Sequence, residues 1–228
     1  MKKYEIFLFD ADGTLYDYDI AEKNALKTMF DYYGFGYSEE IRLKYREINQ
    51  SVWESYEKNE ITKDELQTIR FKRLFSNSNI SCDENEFNEK YIKELSKGSF
   101  LIDGALEICK EIFYYNKKIY IVTNGMFQTQ KIRFANSMIK DYISDYFISE
   151  RIGFQKPQPQ YFDYVFTHIP QIEKSKILLI GDSITADIVG ANSAGIDSCW
   201  FNKFGKVNNT DIIPTYEICD LFQLKKFL

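Results

Sequence analysis

The feature that most constrains the fold of this 228-residue chain is an alternation of two residue patterns in its second half. Four short apolar segments have the β-branched and aromatic composition of buried strands; these are 118–123, 146–148, 176–180 and 197–201. Helical patterns lie around them, at 105–116, from Gln128, at 160–169 and at 186–194. The alternation predicts an α/β fold in which helices cover both faces of a parallel sheet. Right-handed crossovers bring every strand-to-helix loop to one sheet edge, where we expect the functional residues.

The first half of the chain has a different organisation. Residues 4–15 predict one more buried strand, but from Thr14 to about Gly98 the pattern is only helical. Residues 21–33 predict one helix, and capping signals at Ser38, Thr62 and Asp83 predict three more. Helices with no strand between them cannot belong to a parallel sheet. We therefore predict an all-helical, four-helix domain at 16–99, inserted into a sheet domain formed by 1–15 and 100–228.

The end of the chain adds little to this sheet in our prediction. We expect 197–201 to be the last core strand. Residues 216–228 are predicted to pack back onto the domain as a short strand and a helix.

Two acids follow the first predicted strand. Side chains at i and i+2 of an extended segment point to the same side, so Asp10 and Asp12 should converge on one small volume. Carboxylates that close repel each other unless a cation or a proton compensates, which indicates a metal site or an acid/base pair. The alternative is an ordinary strand that ends in an Asp-Gly turn.

Polar groups also follow the later strands. Thr123, Asn124 and Gly125 form a strand-to-helix turn whose backbone N–H groups can face an anion. Lys156 is held extended by the proline that follows it. Asp182 leaves its strand as Asp10 does, and Asp187 falls in the first turn of a helix, where the dipole also favours an acid. Each group alone has an ordinary explanation as a turn, a solvated lysine or a cap, and their conjunction in chain order favours a site.

Composition narrows the classes of partner and compartment. The net charge of −5 disfavours nucleic acid polymers and anionic membranes as partners. The four cysteines form no CxxC pair, so a disulfide framework and a zinc site are disfavoured and a reducing compartment fits. The N-terminal apolar run is cut short by Glu5 and Asp10, unlike a signal peptide, and no segment approaches transmembrane length. We expect a cytoplasmic protein, either a monomer or a weak homodimer.

The polar segments together resemble the four motifs of the haloacid dehalogenase (HAD) superfamily of phosphotransferases. The matching segments are Asp10-x-Asp12-Gly13-Thr14, Thr123-Asn124-Gly125, Lys156-Pro157 and Gly181-Asp182-Ser183-x-x-x-Asp187. The helical insertion is similar to the cap of the superfamily's first cap type. Four further segments resemble the bacterial noncanonical pyrimidine 5′-nucleotidases; these are 47–53, 152–157, 194–200 and 213–217. The resemblance therefore implies a Rossmann-like HAD core with a helical cap domain.

The resemblance also implies a mechanism. Asp10 would attack phosphorus to give an aspartyl-phosphate, and Asp12 would act first as general acid and then as general base. Thr123 and Lys156 would hold the phosphoryl oxygens, with Asn124 and Gly125 also at the substrate. Mg²⁺ would be bound by Asp10, the backbone carbonyl of Asp12 and Asp182, with Asp187 supporting it through water. An acid at position 12 suits a phosphatase, whereas a true dehalogenase expels halide and needs no proton donor.

The predicted cap offers candidate contacts for a base. Asn49, Trp53 and Tyr56 fall at i, i+4 and i+7 of one helix, so they share a face. Stacking on an aromatic ring is worth about 1–3 kcal/mol per base, and Asn49 has the groups to bond a pyrimidine edge. The alternative is that these residues are part of the helical core.

The sequence is compatible with three functions. The first is an Mg²⁺-dependent 5′-nucleotidase acting on pyrimidine or noncanonical nucleoside monophosphates. The second is a phosphatase of sugar phosphates or other small metabolites, or a phosphomutase with the same core. The third is a catalytically idle binding module, which the presence of Asp10, Asp12, Lys156 and Asp182 argues against.

Overall fold

A computed structural model of the chain describes residues 2–228. Its residues divide into two compact units. One contains the described residues up to Tyr18 together with Ser99–Leu228, and the other is Asp19–Gly98. Among the described residues, no helix is both long and apolar enough to cross a bilayer.

The first unit is built on a six-stranded parallel sheet. The strands are β1 (Ile6–Phe9), β2 (Lys118–Thr123), β3 (Asp145–Ile148), β4 (Ile177–Gly181), β5 (Asp197–Phe201) and β6 (Tyr216–Ile218). Their order is β3-β2-β1-β4-β5-β6, so β1 lies at the centre, between β2 and β4. The chain reverses its direction of winding at β1, and ligands of open α/β sheets bind outside the carboxyl ends of strands at such a point.

Helices cover both faces of this sheet, and one buried hydrophobic cluster lies on each face. Alternate residues of β1 point to opposite faces. Phe7 and Phe9 belong to one buried cluster, and Ile6 and Leu8 belong to the other. Because both faces are buried, β1 reads as a continuous apolar run. The predicted parallel α/β fold with helical cover is confirmed.

The second unit consists of helices α1 (Tyr18–Tyr33), α2 (Glu39–Glu57), α3 (Lys63–Ser76) and α4 (Glu84–Ser96). The first residue of α1, Tyr18, belongs to the sheet unit. The predicted caps are present: Ser38 accepts from the backbone of Ile41, and Thr62 and Glu65 form a complete capping box. Aromatic rings fill the centre of this unit, with the Phe71 and Phe87 ring centroids 4.8 Å apart. Four helices with no strand were predicted here; the cap role and the boundaries at 16 and 99 stay predictions.

The helices of the sheet unit are α5 (Ala105–Tyr114), α6 (Phe127–Ala135), α7 (Ser149–Ile152), α8 (Pro159–His168) and α9 (Val189–Ala194). A π-helical turn, Ile184–Ile188, precedes α9, where we predicted that the helix begins at Ala186. The single turn α7 was not predicted, because four residues are too few to show a period. The short strand and helix predicted within 216–228 are present as β6 and the 3-10 helix Leu221–Phe227. Because β6 pairs with β5 and extends the sheet, the prediction that 197–201 is the last core strand was wrong.

Candidate active site

The turn after β1 brings the first two candidate acids to the carboxyl edge of the sheet. The backbone N–H of Asp10 still donates to Ile180 of β4, at 2.8 Å, so Asp10 is held by the sheet itself. The chain then turns sharply, because the N–H groups of Leu15 and Tyr16 both donate to the carbonyl of Ala11. Asp10 is buried and Asp12 is half-buried.

Lys156 lies at the centre of the site with 1% of its surface exposed. Its Nζ donates to Asp10 Oδ1 at 2.6 Å, to Asp187 Oδ1 at 2.6 Å and to the carbonyl of Val122 at 2.8 Å. Burial opposes the ammonium charge, but the carboxylates of Asp10 and Asp187 outweigh it and raise the pKa of Lys156. The lysine is therefore a fixed cation that links two of the predicted acids.

Three predicted metal ligands meet beside this lysine. One carboxylate oxygen from each of Asp10, Asp182 and Asp187 lies within 4.8 Å of the others. Burial raises the pKa of Asp10 well above its usual range, and Asp187 and Asp182 add to the shift while Lys156 opposes it. Loss of hydration around the carboxylate, followed by the charge of Asp187, raises the pKa of Asp182 to about 7, although part of this residue is exposed. The arrangement leaves negative charge that one lysine does not neutralise.

This donor set fits a hard divalent cation. Mg²⁺ prefers oxygen ligands and commonly takes one or two carboxylates while it keeps several waters. Asp182, exposed at the edge of the cluster, leaves room for such waters, whereas Asp10 and Asp187 are buried. The three-acid cluster could therefore hold a divalent cation such as Mg²⁺, and the assignment of Asp10 and Asp182 as its ligands stays a prediction.

Two glycines make the cluster possible. Gly13 has φ +86°, and a Cβ built on it would lie 2.7 Å from Asp182 Oδ2. A Cβ on Gly181 would lie 2.2 Å from the carboxylate of Asp187. Both contacts are shorter than a Cβ tolerates. Glycine at position 13 lets Asp182 approach the β1 turn, and glycine at position 181 leaves room for the Asp187 carboxylate beside the end of β4.

The turn after β2 has two separate tasks. The Oγ1 of Thr123 accepts from the backbone N–H of Gly125 at 3.0 Å. The side chain of Asn124 accepts from the backbone N–H of Lys156 and donates to its carbonyl, both at 2.9 Å. Asn124 thus fixes the loop that carries Lys156. The substrate roles predicted for Thr123, Asn124 and Gly125 stay predictions.

The side chain of Asp12 is held by two residues that the sequence interpretation missed. Its Oδ1 accepts from Arg133 Nη1, and its Oδ2 accepts from Gln130 Nε2. Gln130 and Arg133 are fully buried and stand three residues apart on α6, so they share a helix face. Buried polar residues at this spacing, on the helix after Thr123-Asn124-Gly125, were the available signal. The carboxylate of Asp12 is not part of the three-acid cluster.

The predicted base-reading residues lie on α2 in the helical unit. Asn49 is buried, where it donates to Glu22 at 3.0 Å and accepts from Arg70 at 3.4 Å. Trp53 and Tyr56 are half-buried and meet edge to face, with ring centroids 5.7 Å apart. Their contact with a substrate stays a prediction, and the bonds of Asn49 show that it also serves the interior of this unit.

Comparisons with known proteins agree with this geometry. The family model of haloacid dehalogenase-like hydrolases matches residues 7–201. The HAD-hydrolase YfnB of Bacillus subtilis is 40% identical over 228 residues, covering 100% of this chain and 97% of YfnB. A crystal structure of YfnB bound to magnesium superposes with a TM-score of 0.93 at 39% identity, covering 99% of this chain and 98% of that one.

Two further relatives are named for an activity. The pyrimidine 5′-nucleotidase PynA of Streptococcus pneumoniae is 35% identical, over 94% of this chain and 91% of PynA. The pyrimidine 5′-nucleotidase YjjG of Escherichia coli is 30% identical, over 99% of this chain and 98% of YjjG. The family model, the full-length relatives and the sheet with its cluster of acids all support one assignment. The chain belongs to the haloacid dehalogenase-like hydrolases, and within them it is a phosphoric monoester hydrolase.

Proposed function

We propose that this protein is an Mg²⁺-dependent 5′-nucleotidase that hydrolyses nucleoside monophosphates through an aspartyl-phosphate on Asp10. The observation that carries the proposal is the cluster of Asp10, Asp182 and Asp187 around Lys156, at the point where the winding of the sheet reverses. Two full-length relatives named as pyrimidine 5′-nucleotidases support the substrate class. The magnesium in the YfnB structure supports the choice of metal.

The first chemical step uses Asp10 as nucleophile. One of its oxygens forms a bond to phosphorus while the bond between phosphorus and the ester oxygen breaks. Asp12, two residues further along the turn, gives a proton to the departing oxygen, which would otherwise leave as an alkoxide. The Thr123 hydroxyl donates to the phosphoryl oxygens, where charge develops in the transition state, and Lys156 does so by exchanging one of its three present hydrogen bonds for a phosphoryl oxygen.

The second step returns the enzyme to its starting state. Asp12, now deprotonated, takes a proton from a water molecule that attacks phosphorus, and the bond from phosphorus to Asp10 breaks to release inorganic phosphate. A bound Mg²⁺ would neutralise charge on the phosphoryl oxygens throughout. One pair of acids thereby serves both halves of the reaction.

The proposal is tested by a panel of phosphorylated metabolites assayed with Mg²⁺ and with a chelator. We expect release of phosphate from pyrimidine nucleoside monophosphates that requires Mg²⁺, with Asp10→Asn and Asp12→Asn each abolishing it. A preference for sugar phosphates would show that the protein is a sugar phosphatase rather than a 5′-nucleotidase. Turnover of a sugar phosphate without stoichiometric phosphate release would indicate a mutase. Near-normal turnover in either Asn variant would refute the mechanism.

The role of the helical unit is tested separately by Trp53→Ala. If Trp53 stacks on the base, the variant loses discrimination among nucleotides differing only in the base, by up to about 1–3 kcal/mol. Discrimination equal to that of the native enzyme would remove Trp53 from the substrate site.

A further inference from the structure

We propose that Gln130 and Arg133 are positioning residues that hold the carboxylate of Asp12 in the orientation needed for proton transfer. The inference rests on the proposed function and extends it to residues outside the four motifs. Each carboxylate oxygen of Asp12 accepts a hydrogen bond from a different buried donor on α6.

The two donors restrain Asp12 more completely than one could. A single hydrogen bond leaves a carboxylate free to rotate about that bond, whereas two donors on different oxygens fix the plane of the group. A carboxylate has about four acceptor positions, so both oxygens keep capacity for a reacting group. The contact with Arg133 is charge-assisted, which makes it the stronger of the two.

The donors are themselves held in place. The Oε1 of Gln130 lies 3.5 Å from Arg133 Nη1, which orients the amide so that its Nε2 faces Asp12. The Arg133 guanidinium lies over the ring of Tyr16, with its Cζ 5.5 Å from the ring centroid. Tyr16 is buried on the same turn as Asp12. The clamp formed by Gln130 and Arg133 is therefore anchored at both ends to the β1 turn.

An independent observation links this clamp to the turn after β2. A Cβ built on Gly125 would lie 2.2 Å from Gln130 Nε2, the atom that bonds Asp12. The absence of a side chain at Gly125 therefore lets Gln130 reach Asp12. This gives the glycine of Thr123-Asn124-Gly125 a second reason to be glycine, beside any contact with phosphate.

The test compares two aryl esters of nearly the same shape, phenyl phosphate and 4-nitrophenyl phosphate. Phenolate is the more basic leaving group, so its departure depends more on a proton donor, while 4-nitrophenolate departs readily without one. General acid catalysis contributes about 10²–10⁴-fold. We expect Gln130→Met and Arg133→Met to lower kcat/KM for phenyl phosphate at least about tenfold more than for 4-nitrophenyl phosphate.

Three further variants sharpen this comparison. Gly125→Ala should reproduce the leaving-group dependence of Gln130→Met, because the added methyl displaces the Gln130 amide. Arg133→Lys keeps the charge and should recover part of the loss. Lys131→Met removes an exposed cation from the same helix and should leave both esters unchanged. Equal losses on the two esters in the Gln130 and Arg133 variants would show a merely structural role and overturn the proposal.

A crystal structure of each Met variant separates failure of the clamp from failure of the proposed function. We expect the Asp12 carboxylate to leave its native orientation when either donor is lost, and this can be seen whether or not the enzyme turns over. An unmoved carboxylate in both variants would overturn the clamp. A native enzyme that hydrolyses neither these esters nor nucleoside monophosphates would instead overturn the proposed function.

Discussion

Lys156 is a buried cation whose charge is balanced by two acids. Its Nζ lies 2.6 Å from both Asp10 and Asp187, and all three side chains are almost fully removed from water. Removing one partner of a buried ion pair costs about 3–5 kcal/mol, because the remaining charge is left without compensation. The lysine therefore stabilises the cluster as well as being a candidate ligand of phosphate.

We predict that Lys156→Met lowers the free energy of unfolding by about 3–5 kcal/mol in the presence of a chelator. Mg²⁺ should restore part of this loss, since a second cation can offset the same carboxylates. Urea denaturation with chelator and with Mg²⁺ measures both effects, with the exposed Lys140→Met as control. An unchanged unfolding midpoint would show that the cluster does not need this charge.

A second buried acid lies in the helical unit. Burial, followed by the charge of Asp19, raises the pKa of Glu22 to about 7, while Arg46, Arg70 and the bond from Asn49 oppose the shift. The folded state therefore binds a proton that the unfolded chain releases at a pH near 4.5, the ordinary value for this group. The contribution of Glu22 to stability is full below that pH and is lost as the pH rises towards about 7.

We predict that Glu22→Gln removes this pH dependence. A shift of this size corresponds to about 3 kcal/mol. On going from about pH 4.5 to about pH 8, the free energy of unfolding of the variant should therefore rise by about that much relative to that of the native protein. Urea denaturation at both pH values measures the gain, and Glu89→Gln, an exposed substitution in the same unit, should show none. If the free energy of unfolding depended on pH equally in the Glu22 variant and the native protein, the raised pKa of Glu22 would be contradicted.

At the scale of elements, the site depends on loops that only glycine permits. The turn after β1 and the end of β4 approach so closely that a single methyl on Gly13 would meet the carboxylate of Asp182. The backbone of Gly13 is also left-handed, with φ +86°, which costs other residues about 1–2 kcal/mol.

Gly13→Ala is therefore expected to weaken Mg²⁺ binding and phosphatase activity together, by displacing Asp182. Titration of activity with Mg²⁺ should show at least a tenfold higher concentration for half-maximal rate. The matched control is Gly36→Ala, because a Cβ there meets no atom within 4 Å. Normal Mg²⁺ dependence in Gly13→Ala would mean that Asp182 does not hold the metal.

The elements that the sequence predicted well have strong local signals. Ser38 and Thr62 begin helices because their side chains accept from backbone N–H groups, which is readable from residue types alone. The π-helical turn Ile184–Ile188 lacks such a signal. The short strand β6 was predicted, but its place in the sheet was not, because the pairing with β5 is a tertiary contact that no local pattern records.

The same distinction holds for the site. Asp10, Asp182 and Asp187 were predicted because each follows a strand, and parallel topology brings strand ends together. Gln130 and Arg133 were missed because helical residues three apart show a shared face but not its target. Their target, Asp12, lies more than a hundred positions earlier in the chain.

At the scale of the whole molecule, one sheet order explains why distant segments form one site. The order β3-β2-β1-β4-β5-β6 puts β1 between β2 and β4, so Asp10 is flanked by Thr123 on one side and by Asp182 on the other. The helical unit Asp19–Gly98 enters the chain just after the β1 turn. The sequence thus carries the proposed nucleophile, the proposed acid and then the insertion in close succession.

The central proposal is that a carboxylate oxygen of Asp10 is the nucleophile that forms a bond to phosphorus. It is tested most directly by mixing the enzyme with Mg²⁺ and a hydrolysable nucleoside monophosphate, quenching in acid within one turnover and mapping the modified peptide by mass spectrometry. We predict a phosphoryl group on Asp10 that is absent from Asp10→Asn. Turnover with no phosphoryl group on Asp10, or with the group on another residue, would contradict it.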